Sequence, residues 1–528
     1  MCEVPHSAPG GRQRPVQYSI MSRLSLFWII IFFHALVWVL LPTLLAPAYK
    51  PDVIELMLIG REWVWASAKH PMLPAWLLEI TNILTGRCFA APFIISQLCV
   101  VGTLTAVWAF ARSVLPAPLA IVPPLTMLPY WFFTVESTKF NQNIALVLLW
   151  TWSIFFVFKA LQTNRLRYWS LTGLALGVGF HAKFTMIFLV VAVLAFMSMD
   201  KRSRRYWTTP GPYLTTLLAL LVFSPQVVWL LTHEAPGTQT ALLTYDAGLL
   251  NRLWFPLLFF VEVVGFLLIP SLMLAPLFVF PWARVDDQER NENDQWTVRF
   301  LATVIGIPFL AHLFIAAALP QSLNPDYGLV FGPLFAVLLL LRYKTKDCPD
   351  FRRFGILVGL GELVMIGAFI VQAVWSPYLT GTPRGFHFPM RTLGAVCDRI
   401  WAEQVGGPCP YVSGVWWFAG NAAQTMKPTP RVHAFGGTYS MDENLPLSTW
   451  STDADINRSG GLILWNADDG TPKTLFKRFP DAEILPSFEL NYQTSAKIPP
   501  LHVGVAVVRP MAENTGSPDN PPTEFLRK

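Results

Sequence analysis

Apolar runs long enough to cross about 30 Å of hydrocarbon recur from Leu24 to the neighbourhood of Val374. That recurrence restricts the chain more than any motif does. Backbone inside a bilayer must satisfy its own hydrogen bonds, so the runs read as helices. Spans fall near 24–45, 90–111, 118–134, 144–161, 168–182, 184–199, 211–231, 254–279, 299–319, 329–342 and 355–375, about eleven in all. Composition agrees, since 53% of the 528 residues are hydrophobic and 14% are charged. The expected fold is an α-helical polytopic membrane protein followed by a small C-terminal α/β domain. Its parts are a membrane domain over 1–375 with a first outer loop at 46–89, an α/β domain over 376–510, and a disordered tail over 511–528.

Lys and Arg set the expected orientation. "TNRLRYW", "DKRSRRYW", "PWARVDDQERNENDQW" and "RYKTKDCPDFRRF" alternate with loops poor in positive charge such as "LPQSLNPDYG". The basic loops and the N-terminus are therefore read as cytoplasmic, and the C-terminal domain as periplasmic. The first apolar run reads as an anchor rather than a cleaved signal. The net charge of +6 resides mostly in those cytoplasmic loops, so it reports topology and anionic lipid, with no nucleic-acid partner.

Six cysteines divide by compartment. In "VCDRIWAEQVGGPCPYV", Cys397 and Cys409 could close a disulfide loop in an oxidising compartment, with two free buried thiols as the alternative. Apolar, β-prone runs such as "YVSGVWWF", "GLILW" and "LHVGVAVVRP" alternate there with helix-like segments. That domain holds no Gly-rich phosphate loop and no nucleophile elbow, so chemistry is sought in the membrane domain.

Polar groups gather at the outer ends of the spans. "AYKPDVIELMLIGREWVWASAKHPMLPAW" carries Lys50, Asp52, Glu55, Arg61, Glu62, Lys69 and His70 just after the first span. A helix over 52–66 puts Asp52, Glu55 and Glu62 on one face, the alternative being an interfacial helix that merely solvates its charges. "ESTKFNQN" adds Lys139, Asn141 and Asn143, "FHAKF" adds His181 and Lys183, and a later loop adds His233, Glu234, Asp246 and Arg252. A lysine between two apolar spans is costly unless it meets an anion or water, or snorkels to the interface. Among intramembrane groups, His34, Glu262, His312 and Glu362 either line an acceptor path or hydrogen-bond between helices. Gly173 and Gly177 are spaced for close helix packing. The 21 Trp residues read as an interfacial belt.

"PDVIE", "KHPMLP", "KFNQN", the lysine at the outer turn of "FHAKF", "SPQVVWL" and "SLNPDYG" together resemble the bacterial GT-C glycosyltransferases related to the lipid A aminoarabinose and galacturonic acid transferases. The resemblance implies an inner-membrane enzyme that moves a sugar from a polyprenyl-phosphate donor to an outer-leaflet lipid or glycan, with lipid A or core oligosaccharide as acceptor. It implies Asp52 as the acid that orients or deprotonates the acceptor. Glu55 either assists Asp52 or joins a divalent metal, the one cofactor the family brings into question. Lys69, with Lys139, Lys183 and Arg252, would meet the donor phosphate. His70, Asn141, Asn143, Asp326 and Tyr327 would line the substrate site. His70 stands where the commoner pattern has a second proline, and Ala68 stands where the aminoarabinose enzymes place a glutamate. A transporter or flippase of a lipid-linked sugar is the alternative function, but no inverted repeat or matched pair of broken helices supports it.

Overall fold

A computed structural model describes residues 15–65, 71–232, 249–280, 282–286, 290–318, 324–435, 448, 450–494 and 497–511. The chain forms two compact units: residues up to Phe388 with Tyr492–Ile498, and Pro389–Asn491 with the segment from Pro499 onward. The sequence boundary at 375/376 lies short of this division. The apolar pattern ends near Trp375, but the backbone remains helical over Ser376–Thr380, and Phe386 packs with Trp38, Val135 and Phe369 in the first unit. The tail expected beyond residue 511 lies outside the described residues.

The first unit is a multi-pass helical membrane domain. Its main helices are α1 (Pro15–Leu45), α2 (Pro51–Arg61), α3 (Leu73–Leu84), α4 (Ala91–Val114), α5 (Gln142–Thr163), α6 (Leu166–Ala182), α7 (Ile187–Met199), α8 (Pro210–Thr232), α9 (Leu249–Met273), α10 (Glu292–Ala318) and α11 (Phe351–Ile370). Among the described residues, seven helices are long and apolar enough to cross a membrane, or nine if each of two bent pairs counts as one span. The difference from eleven has local causes, the first being that α6, with 17 residues, is short for a span. The run near 118–134 breaks with a 76° bend between Ala117–Thr126 and Trp131–Thr138, where Pro129 and its neighbours cannot continue a helix. The segment after α7 turns by 95° at Asp200. Near 329–342, a 3₁₀ stretch precedes a helix of only eight residues, Phe335–Arg342.

Small residues let α6 and α8 approach closely. A Cβ on Gly173 would meet the Thr215 carbonyl oxygen at 2.5 Å, and one on Gly177 would meet Val222 at 2.7 Å, as their spacing leads one to expect. The tryptophans do more than mark an interface, because Trp38, Trp150, Trp169 and Trp296 are fully buried. Two have half-buried carboxylate acceptors for the indole N–H: Trp38 donates to Glu362 at 2.7 Å and Trp296 to Asp200 at 3.1 Å.

The second unit is a mixed α/β sheet of β1 (Tyr411–Val415), β2 (Arg431–Phe435), β3 (Gly461–Asn466), β4 (Glu483–Leu490) and β5 (Leu501–Val508), in the order β2-β1-β3-β5-β4. β1 pairs in parallel with β2 and β3, whereas β5 is antiparallel to both β3 and β4. Every residue of β1 is buried, as a central parallel strand requires. Gly414 in β1 has φ +109°, and any Cβ there would strike the Leu464 backbone. The expected Cys397–Cys409 disulfide does not form: both cysteines are free and buried. Burial pushes the Cys409 thiol up to about 12 and Cys397 upward too, away from the reactive thiolate. Cys409 instead donates to the Tyr411 carbonyl at 3.2 Å.

Candidate active site

α2 begins immediately after the first span, with Lys50 as its N-cap and Pro51 in its first turn, where a missing N–H is harmless. The helix stops at Arg61 rather than at 66, and Glu62 is its cap. Asp52 is half-buried in the first turn, and Glu55 is buried one turn further on. Val53, Ile54, Met57 and Leu58 are buried, which anchors the helix and fixes the height of Asp52.

α5 supplies the next group. Asn141 caps it, its Oδ1 accepting from the backbone N–H groups of Asn143 at 3.0 Å and Ile144 at 3.3 Å. The same amide donates through Nδ2 to Asp52 Oδ2 at 2.9 Å. One side chain thus starts a helix and orients a carboxylate 89 residues earlier. From the turn between α6 and α7, Lys183 donates to Asn143 Oδ1 at 2.6 Å and lies 3.5 Å from the centroid of the Tyr327 ring. Asp326 precedes that tyrosine, its backbone N–H accepted by Asn324 Oδ1 at 3.0 Å.

The lysines differ in their partners. Lys139, expected to face a donor phosphate, is instead held between Glu136 and Asp326, each at 2.7 Å. Burial works against its charge, yet Glu136, Asp326 and Asp52 outweigh burial and hold its pKa above the usual lysine value. Burial raises the Asp326 pKa, with Lys139 opposing. Lys183 has neutral partners, and burial draws its pKa down to about 7, with Asp326 and Asp52 opposing. Lys50 donates to the Val135 carbonyl at 3.2 Å, and burial lowers its pKa despite nearby Glu136.

Asp52, Lys139, Asn141, Asn143, Lys183, Asp326 and Tyr327 therefore lie in one cluster. Lys50 and Glu136 join them without having been singled out as site residues. The nearest signal was the i,i+3 spacing of Glu136 and Lys139. Lys69, His70, His233, Glu234 and Asp246 lie outside the described residues, as does the Arg252 side chain at the start of α9. His181 instead donates from Nε2 to the Val222 carbonyl oxygen at 2.8 Å. Among the described residues, no three His, Cys, Asp or Glu side chains are grouped so as to hold a metal ion.

Two crystal structures of ArnT from Cupriavidus metallidurans match nearly the whole chain. The form bound to undecaprenyl phosphate gives a TM-score of 0.59 at 14% identity, covering 94% of this chain and 99% of that one. The apo form gives 0.57 at 14% identity, covering 93% and 98%. The chain has the ArnT-like GT-C fold. Residues 69–229 also match the family model described as dolichyl-phosphate-mannose-protein mannosyltransferase, PMT_2. No curated protein matches. Within this GT-C fold, the PMT_2 segment carries Lys139, Asn141, Asn143 and Lys183. Asp52 and Asp326 lie on either side of it.

Proposed function

We propose that the protein is a glycosyltransferase of the bacterial inner membrane that moves a sugar, an amino sugar or a uronic acid, from a polyprenyl-phosphate donor to an outer-leaflet lipid such as lipid A or the lipopolysaccharide core. The observation that carries this reading is the Asp52–Asn141 contact beside Lys183, on a fold shared with an ArnT that binds undecaprenyl phosphate. It pairs an oriented carboxylate with a cation held by neutral groups.

In this reaction an acceptor oxygen attacks the anomeric carbon, and its proton passes to the Asp52 carboxylate. The bond from that carbon to the phosphate oxygen breaks, and its electron pair stays with the departing polyprenyl phosphate, which inverts the anomeric centre. Lys183 faces the growing negative charge, with Lys69 and Arg252 as further cations from the sequence. Lys139, already flanked by Glu136 and Asp326, has a supporting part: it keeps two carboxylates from repelling the donor. Asn143 and Tyr327 hold Lys183, and His70 is assigned to the substrate side. Glu55 backs Asp52. The basic-loop pattern puts the N-terminus in the cytoplasm and the α/β unit in the periplasm.

Purified full-length protein, supplied with a polyprenyl-phosphate sugar and lipid A, should release polyprenyl phosphate and form a new glycosidic bond. Transbilayer movement of the donor without bond formation would replace this reading with a transporter. Mass spectrometry of lipid A and core sugars from a deletion strain identifies the sugar and its acceptor.

A further inference from the structure

Away from the lysine and carboxylate cluster, α1, the segment Ala117–Thr126 and α11 enclose a cavity of about 370 Å³, within the size range of small-molecule sites. Its walls are apolar, with Ile30, Phe33, Leu125, Phe354 and Val358 among them. The polar side chains that line it, among the described residues, are His34 and Glu362. Both lie within apolar spans, His34 near the middle of Ser25–Leu45 and Glu362 within Phe351–Thr380.

These two groups are paired on one side and, among the described residues, unpartnered on the other. Glu362 Oε1 lies 2.8 Å from His34 Nδ1 and accepts from Trp38 Nε1 at 2.7 Å. Glu362 Oε2 and His34 Nε2 are buried and, among the described residues, have no hydrogen-bond partner. His34 is 3% exposed, so bulk water cannot compensate it. A purely structural interhelical hydrogen bond accounts for Nδ1 and Oε1 and leaves the other two atoms unexplained.

The cavity also has a bare wall. Gly355 and Gly359, one turn apart on α11, are exposed, and a Cβ on either would meet no atom within 4 Å. Phe33 on the facing helix is exposed as well. In apolar spans, such surface is covered by lipid, so the cavity opens toward hydrocarbon rather than water.

We propose that this cavity binds a hydrocarbon chain of a bilayer lipid that bears a hydroxyl, with His34 and Glu362 as the recognising pair. When His34 is neutral and Nδ1 donates to Glu362, its Nε2 and Glu362 Oε2 are both acceptors, and a hydroxyl donates to either. When His34 is protonated, Nε2 donates to the hydroxyl oxygen while the hydroxyl proton goes to Oε2. An unsubstituted chain fills the apolar walls and leaves both polar atoms buried and unpaired. The inference rests on the membrane architecture and is independent of the transferase reaction.

The test uses full-length protein in lipid nanodiscs, with no sugar donor, and two photoactivatable fatty acids that differ by one mid-chain hydroxyl. Mass spectrometry of crosslinked peptides should place the hydroxylated probe on α1 and α11, with labelling about fivefold above the unsubstituted probe. Gly359→Leu adds a side chain where space is open and removes a helix-interior glycine, so it should fold and abolish that labelling. Glu362→Leu should bring the two probes to equal labelling. Equal labelling of wild-type protein by both probes, labelling elsewhere only, or undiminished labelling of the Gly359→Leu protein would each overturn the proposal.

Discussion

Asn141 donates to Asp52 at 2.9 Å while its carbonyl oxygen is already committed to the first turn of α5. The amide cannot flip without losing both contacts, so Asp52 receives a fixed donor on Oδ2 and keeps lone pairs for a substrate proton. The two residues lie 89 positions apart, and helix capping is what makes their meeting reproducible.

Asp52→Asn keeps the size of the side chain and removes its basicity. Single-turnover transfer should fall at least about a hundredfold, the lower range for a general base, while thermal unfolding in detergent stays near wild type. Near-normal transfer would move the base role to Glu55.

Replacing Asn141 separates the cap from the positioning contact. Asn141→Ala should lose about 1 kcal/mol of stability together with activity. Asn141→Ser keeps a capping oxygen but is too short to hold Asp52, so stability should recover while kcat stays low. Recovery of both by serine would show that the contact to Asp52 is incidental.

Lys183 gives a pH signature. With its pKa near 7, the free site loses positive charge as pH rises through neutrality, whereas a bound phosphodiester favours the charged form. Donor affinity should therefore be flat below pH 7 and weaken above it, by up to about tenfold per pH unit. In Lys183→Met the affinity should be low and this slope absent. A slope that survives the substitution would assign the titration to another group.

Lys139→Met should behave differently from Lys183→Met. Removing the ammonium leaves buried Asp326 without its cation and half-buried Glu136 with Lys50 alone, a loss of about 3 kcal/mol in stability. Adding Asp326→Asn should recover part of that loss. If Lys139→Met left the unfolding temperature unchanged while abolishing donor binding, Lys139 would be a direct phosphate contact.

Much of this site was legible because its residues are expensive where they stand. Lys139 and Lys183 interrupt apolar sequence at span ends, and that cost alone marks them. What the sequence hides is partnership. Nothing local couples Lys139 to Asp326, 187 positions on, so a lysine already neutralised read like a free one. Lys50 stands beside Pro51 and Asp52 among several charges of the first outer loop, and its acceptor at Val135 appears only after the chain folds. Periodicity also overstates continuity: the run near 118–134 reads as one apolar segment, and it bends by 76° beside Pro129. Fully buried Trp38 and Trp150 show that indoles in such a chain serve packing as well as interfaces.

That bend has a mechanical consequence. Past it, the Val135 carbonyl accepts from Lys50 Nζ and from Thr138 Oγ1 at 2.8 Å, and the Ser137 carbonyl accepts from Ser96 Oγ at 2.6 Å. Gln97 Nε2 donates to Ser137 Oγ at 2.9 Å, so α4 grips the short arm at two adjacent positions. A broken helix with loose carbonyls would swing; this one is riveted. Glu136 and Lys139 therefore sit on a shelf rather than a hinge, and their charges keep fixed positions.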